Sequence, residues 1–141
     1  MPASFFNVIH ESTADITVDL ATGKFTVANA GWYQIKARIQ SGGLVTSTGG
    51  GSKADQYLLL YKNGTLFQFG QAMSSMFPSS GSDSIGYRAQ FGTFQVYLNA
   101  NDYVQLGYNN SAAMATAWTM TGSADNAQTY FEISLLNRST M

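Results

Sequence analysis

"ATGKFTVANAGWYQIKARI", Ala21 to Ile39, decides the fold class. A short apolar run, Lys24-Phe25-Thr26-Val27, ends in Ala-Asn-Ala-Gly, and a strongly alternating run restarts at once with Trp32-Tyr33. Tyr33, Ile35, Ala37 and Ile39 share one parity; Gln34, Lys36, Arg38 and Gln40 share the other. Side chains alternate faces along a strand, so this pattern predicts a strand with one dry and one wet face. Gly23 and Gly31 mark the turns on either side of the short run. Two strands in so little chain point to antiparallel all-β architecture rather than to strands joined by crossover helices.

Working outward, the same signals recur. Phe5 to Ile9 is a short apolar opening, and Ile16, Val18 and Leu20 alternate with Asp19. Gln56 to Tyr61 ("QYLLLY") is apolar on both parities, as expected of a strand covered on both faces. It runs into Asn63-Gly64, a hairpin signal because both residues tolerate positive φ, with Thr65 to Gly70 returning. Tyr87 to Asn99 and Tyr103 to Tyr108 alternate around an Asn101-Asp102 turn, and Thr129 to Asn137 places Phe131, Ile133 and Leu135 inward. No stretch has a helical period. Eight to ten strands are expected, hence a sandwich or barrel. The 141 residues are expected to form one domain, Met1 to Met141, large enough to bury a core.

Three Gly/Ser/Ala-rich stretches break the strand pattern and are expected to be loops. They are Ser41–Ala54, Ala72–Gly86 and Asn110–Gln128. The first is expected to be mobile. The other two carry Met76, Phe77 and Trp118, which are expected to anchor a partner; the alternative is that they tuck beneath the loops as satellite core.

Taken together, four pieces resemble the complement C1q / tumour necrosis factor (TNF) jelly-roll superfamily. They are the opening quotation, "YLLLYKNGTLF", "FQVYLNANDYVQLGYNN" and the closing "TYFEISLLN", in the family's order from about Phe5 to Asn137. The resemblance implies a two-sheet antiparallel jelly-roll sandwich of about ten strands that assembles as a homotrimer. Unlike the extracellular animal members, the sequence shows no collagen repeat or coiled coil ahead of the domain, no Cys and no secretion signal. Its Ser/Thr/Asn/Gly/Gln-rich composition resembles virion proteins of bacteriophages, such as capsid decoration proteins and fibre heads.

Composition narrows the function classes further. Charged residues make up 11% of the chain and the net charge is −1, against the basic patch a nucleic-acid binder carries. No apolar run is long enough to span a bilayer, so no membrane insertion is expected. Cys is absent and His10 is the sole histidine, so no thiolate or multi-histidine metal site is expected, and no cofactor. No Gly-x-Ser-x-Gly elbow or phosphate-cradling loop occurs, so no catalytic residues are assigned and no enzyme is expected.

The tyrosines are the remaining signal. Tyr57, Tyr61, Tyr97, Tyr103 and Tyr130, with Leu59, are the expected trimer interface, since Tyr buries area while keeping a polar tip. A second core layer or cross-strand ladders would use the same residues. A carbohydrate-binding patch would sit best beside Trp118 or Phe77. Two functions follow. The first is a non-enzymatic trimeric protein of the virion surface, partnered by a capsid or fibre protein. The second is an extracellular receptor- or carbohydrate-binding head that recognises cell-surface glycan or protein.

Overall fold

The structure, a computed structural model, describes residues 13–47, 53–76, 81–110, 119–121 and 129–138. Among them are nine strands and no helix: β1 (Ile16–Asp19), β2 (Lys24–Val27), β3 (Gly31–Ser47), β4 (Lys53–Lys62), β5 (Thr65–Met76), β6 (Gly81–Leu98), β7 (Tyr103–Asn110), β8 (Thr119–Thr121) and β9 (Tyr130–Arg138). They form two antiparallel sheets. The first has the order β1-β2-β7-β4-β5; the second has the order β6-β3-β8, with β9 also paired to β3. This is an antiparallel jelly-roll sandwich. The expected opening strand Phe5–Ile9 and His10 lie outside the described residues.

The interior follows the parities read from the sequence. Tyr33, Ile35, Ala37 and Ile39 of β3 and Phe94, Val96 and Leu98 of β6 are buried from the second sheet. Phe25, Val27, Leu58, Leu60, Val104 and Leu106 face them from the first. Ile16, Val18, Ile133 and Leu135 pack against this cluster, and the Phe131 ring stacks on Phe25 with centroids 4.0 Å apart. Leu20 falls in the turn after β1 and leaves the alternation there. Burying a Leu or Phe side chain is worth about 1.5–3 kcal/mol, so these rows of side chains are the main term holding the sheets together.

Two expected loops are corrected. Ser41 to Ser47 continues β3, and its ladder with β6 runs on from Gly43↔Ile85 to Ser47↔Gly81 after a register shift. Met73 to Met76 likewise continues β5 against β4, ending at Lys53↔Met76. Ladder hydrogen bonds are made by backbone groups, so Gly and Ser can continue a ladder whose side chains elsewhere are Val, Ile and Tyr. Of Asn110–Gln128, Thr119–Thr121 forms β8 on Gln40–Gly42; residues 111–118 and 122–128 lie outside the described residues.

Short polar turns close one end. Asn63 and Gly64 take φ of 50° and 80°, the paired positive values of a type I′ hairpin. Asn63 Nδ2 donates to Asp102 (2.8 Å), and Tyr103 N donates to Asn63 Oδ1 (2.9 Å). Asp102 also accepts from the backbone N–H of Asn99, and Lys62 lies 3.3 Å from it. The β4–β5 and β6–β7 turns are therefore tied side to side. Burial alone would raise the Asp102 carboxyl, but the donors Asn63, Asn99 and Lys62 together hold it below the ordinary carboxylate range.

The Gly31 break has a packing cause. A Cβ there would collide with the Asn137 carbonyl and come within 2.8 Å of Leu135 Cδ1, so only glycine lets β9 cross the start of β3. The buried Tyr33 hydroxyl donates to the Asn29 carbonyl (2.7 Å), fixing the turn that precedes that crossing.

Candidate functional site

Strand alternation and register place the expected interface residues on two different surfaces. On β4, Tyr57, Leu59 and Tyr61 have the parity opposite Leu58 and Leu60, and face away from the interior. Tyr103 pairs with Thr26 and lies on the same outer face, where Lys24 Nζ sits 4.5 Å from its ring centroid. Tyr97 and Tyr130 instead lie on the outer face of the second sheet, opposite Trp32 and Arg38 of β3. The six residues therefore do not form one patch.

The outer face of the first sheet is built around Leu59. This side chain points outward yet is only 5% exposed. Its register partners are Phe69 of β5 and Gly107 of β7, and Tyr57 and Tyr61 flank it on its own strand. Tyr57 meets Phe69 edge-on with centroids 5.9 Å apart. A Cβ on Gly107 would lie 2.5 Å from the Tyr61 ring and 3.4 Å from Leu59 Cβ, so glycine there lets the ring lie over β7. Aromatic pairs of this kind contribute about 0.5–1.5 kcal/mol beyond their area. The tyrosines thus cover a small apolar layer within the protomer, which is how "QYLLLY" is apolar on both faces.

Reading for tyrosines missed the more exposed apolar side chains. Leu66 (41%), Phe67 (46%) and Phe69 (57%) stand on β5, the edge strand of the first sheet. The ladder with β4 shifts register twice, between Tyr57 and Leu59 and between Leu60 and Tyr61. Such irregularities re-aim side chains at an edge, which explains why Leu66 and Phe67, neighbours in sequence, are both exposed. On the second sheet Trp32, Phe91 and Leu136 are each 51% exposed. Trp32 meets Tyr97 edge-on at 5.7 Å, and the Arg38 guanidinium lies 5.4 Å from the Phe91 ring centroid. The sequence signal was present in both places: Phe67 and Phe69 share a parity, and Trp32 must face outward once Tyr33 faces in.

Polar contacts also link strands around the second sheet. Lys36 and Glu132 face each other across β3 and β9 at 3.5 Å, both about half exposed. Phe91 N donates to Gln71 Oε1 (3.1 Å), joining the β6 and β5 edges. Among the described residues no group of three or more His, Cys, Asp and Glu is placed to hold a metal. No helix among them is long and apolar enough to cross a membrane. Of the expected partner-binding residues, Met76 closes the backbone of β5, while Phe77 and Trp118 lie outside the described residues.

No protein-family profile matches the sequence, and no curated protein matches it. Solved structures do match by shape. "Structure of Eiger TNF from S. frugiperda" superimposes over 89% of this chain and 71% of that chain, with a TM-score of 0.54 and 14% identity. The fold is a TNF-like jelly roll. A second match, "Crystal structure of Pika GITRL", covers 87% of this chain and 83% of that chain with a TM-score of 0.45 and 19% identity. At such identities the likeness concerns the path of the chain, and function has to be argued from the jelly roll's surfaces.

Proposed function

We propose that the protein is a non-enzymatic homotrimeric head that works by surface contact. One observation carries this reading: a single protomer exposes apolar side chains on two different surfaces. One is the β5 edge, with Leu66, Phe67 and Phe69; the other is the outer face of the second sheet, with Trp32 and Phe91. A cyclic trimer is closed by heterologous contacts, in which one surface of each subunit meets a different surface of the next. An exposed apolar edge strand left unpartnered is an aggregation hazard, and assembly covers it. In this arrangement Tyr57 and Tyr61, on the strand beside β5, extend the first surface, and Tyr97 and Tyr130 extend the second. Leu59 supports the first from beneath, and Tyr103 lies at its margin.

The work of such a trimer is recognition by a face left free after assembly. A receptor- or glycan-binding head is the reading that the TNF-like fold supports. A virion-surface role, decorating a capsid or fibre, draws its support from composition, and the two partner-binding stretches carrying Met76-Phe77 and Trp118 serve either role. Phe69→Ser combined with Trp32→Ser is expected to convert the trimer to folded monomer in sedimentation velocity. Retained trimer with both substitutions would refute this assignment of surfaces. For the partner, saturable glycan or receptor binding by the intact trimer supports the head, whereas co-sedimentation with bare virus particles without it supports the virion role. Turnover of any glycan offered would contradict both.

A further inference from the structure

Two glutamines are buried in the interior where the sequence alternation calls for apolar residues. Gln56 of β4 is 0% exposed and Gln90 of β6 is 1% exposed. Both carboxamides, Nε2 and Oε1 alike, have no hydrogen-bond partner among the described residues. Gln56 has the inward parity of Leu58 and Leu60, and Gln90 the inward parity of Phe94 and Val96. They therefore enter the same interior from opposite sheets.

Register across the sandwich brings them to the same level. Lys62 Nζ donates to the Tyr97 carbonyl (2.7 Å), fixing the far ends of β4 and β6 beside each other. Further back, a Cβ on Gly92 would lie 2.7 Å from Leu58 Cδ2, so Leu58 sits directly over Gly92. Residues 62 and 58 on one strand thus lie over 97 and 92 on the other, and the two strands run the same way. Two residues beyond Leu58 and Gly92 are Gln56 and Gln90. Gln90 is the register partner of the fully buried Ile39, and Gln56 is flanked on its strand by Leu58 and paired across the ladders with Met73 and Asn110.

We propose that Gln56 and Gln90 form an internal water site that links the two sheets, with a long-lived water hydrogen-bonded to both carboxamides. Buried polar groups in proteins are almost always satisfied, and interior waters typically make about three bonds to groups that lack other partners. A carboxamide supplies two donors and an acceptor, so two of them offer a water more than the bonds it needs. Three side-chain torsions in each glutamine let the headgroups part by the width of a water. The site ties the sheets at the end of the core away from the Asp102 turn network, one residue along β6 from the Phe91–Gln71 bond.

The test is NMR of the full chain with both carboxamides assigned. Cross-relaxation from a slowly exchanging water to the Nε2 protons of both Gln56 and Gln90 is expected. Gln56→Met and Gln90→Met should each lower the denaturation midpoint, and the double variant should recover more than half of the summed loss, because the second change removes the group the first one orphaned. Direct cross-peaks between the two carboxamides without a water signal would overturn the bridging water in favour of an amide pair. Strictly additive losses, or single variants more stable than the parent, would overturn any coupling between the two residues.

Discussion

The outer faces of the two sheets are built on opposite plans. On the second sheet, β3 alternates from Trp32 to Gln40, and beyond Trp32 its outward residues are polar or charged, with Lys36 meeting Glu132 across the strands. On the first sheet, β4 is apolar on both parities, and its outward Leu59 is covered by neighbours on the same face. Outward parity therefore does not mean wet. A strand can bury one row of side chains between the sheets and a second row beneath aromatic rings on its own outer surface. The difference also separates two kinds of exposed apolar residue. Tyr57 and Tyr61 are half-buried, whereas Phe67 and Phe69 remain 46% and 57% exposed although the Phe69 ring meets Tyr57.

The largest contrast is expected on truncating the outward row of β4 and both rows of β3. Ile35→Ala, in the interior, is expected to destabilise by about 3–4 kcal/mol. Leu59→Ala should cost about 2–3 kcal/mol although it faces outward, because it too is packed. Gln34→Ala, outward on β3, should cost under about 1 kcal/mol. Denaturant unfolding in which Leu59→Ala behaved like Gln34→Ala would erase the covered layer.

A smaller effect is expected at the turn end that both sheets share. Asp102→Asn should cost about 1.5–2 kcal/mol near neutral pH by weakening charge-assisted bonds to Asn63, Asn99 and Lys62. The folded Asp102 titrates below its unfolded value, so its contribution is complete above about pH 4. It is lost as pH falls from there through the folded value. Urea midpoints measured down this acid limb should fall less steeply in Asp102→Asn than in the parent. The smallest effect belongs to the paired face: Lys36→Ala or Glu132→Ala should change stability by less than about 0.5 kcal/mol, since the pair is half exposed and screened. A loss above 1 kcal/mol in the isolated protomer would show that this face is less wet than its charges imply.

Much of the fold was legible in the sequence because period-two alternation is a direct imprint of burial. Tyr33, Ile35, Ala37 and Ile39 are buried as their shared parity requires, and Asn63-Gly64 marks its hairpin from backbone preference alone. The long continuations of β3 and β5 were illegible for a physical reason. Their pairing uses backbone groups, while the eye reads Gly and Ser side chains as breaks. The candidate surfaces were half legible. Alternation put the tyrosines outside, but it could not say that Tyr57 and Tyr61 cover Leu59, since that depends on Phe69 and Gly107 arriving from other strands. Nor could it show that irregular pairing turns Leu66 and Phe67 both outward, or that the buried carboxamides of Gln56 and Gln90 lack partners.

On the proposed function, the exposed apolar surfaces of one chain are met by other copies of the same chain. Light scattering coupled to size exclusion, on the purified protein at micromolar concentration, tests it directly. A single species with three times the 15.2 kDa mass of the chain, unchanged by chelator or reductant, is expected. A monodisperse species of one chain mass would contradict it.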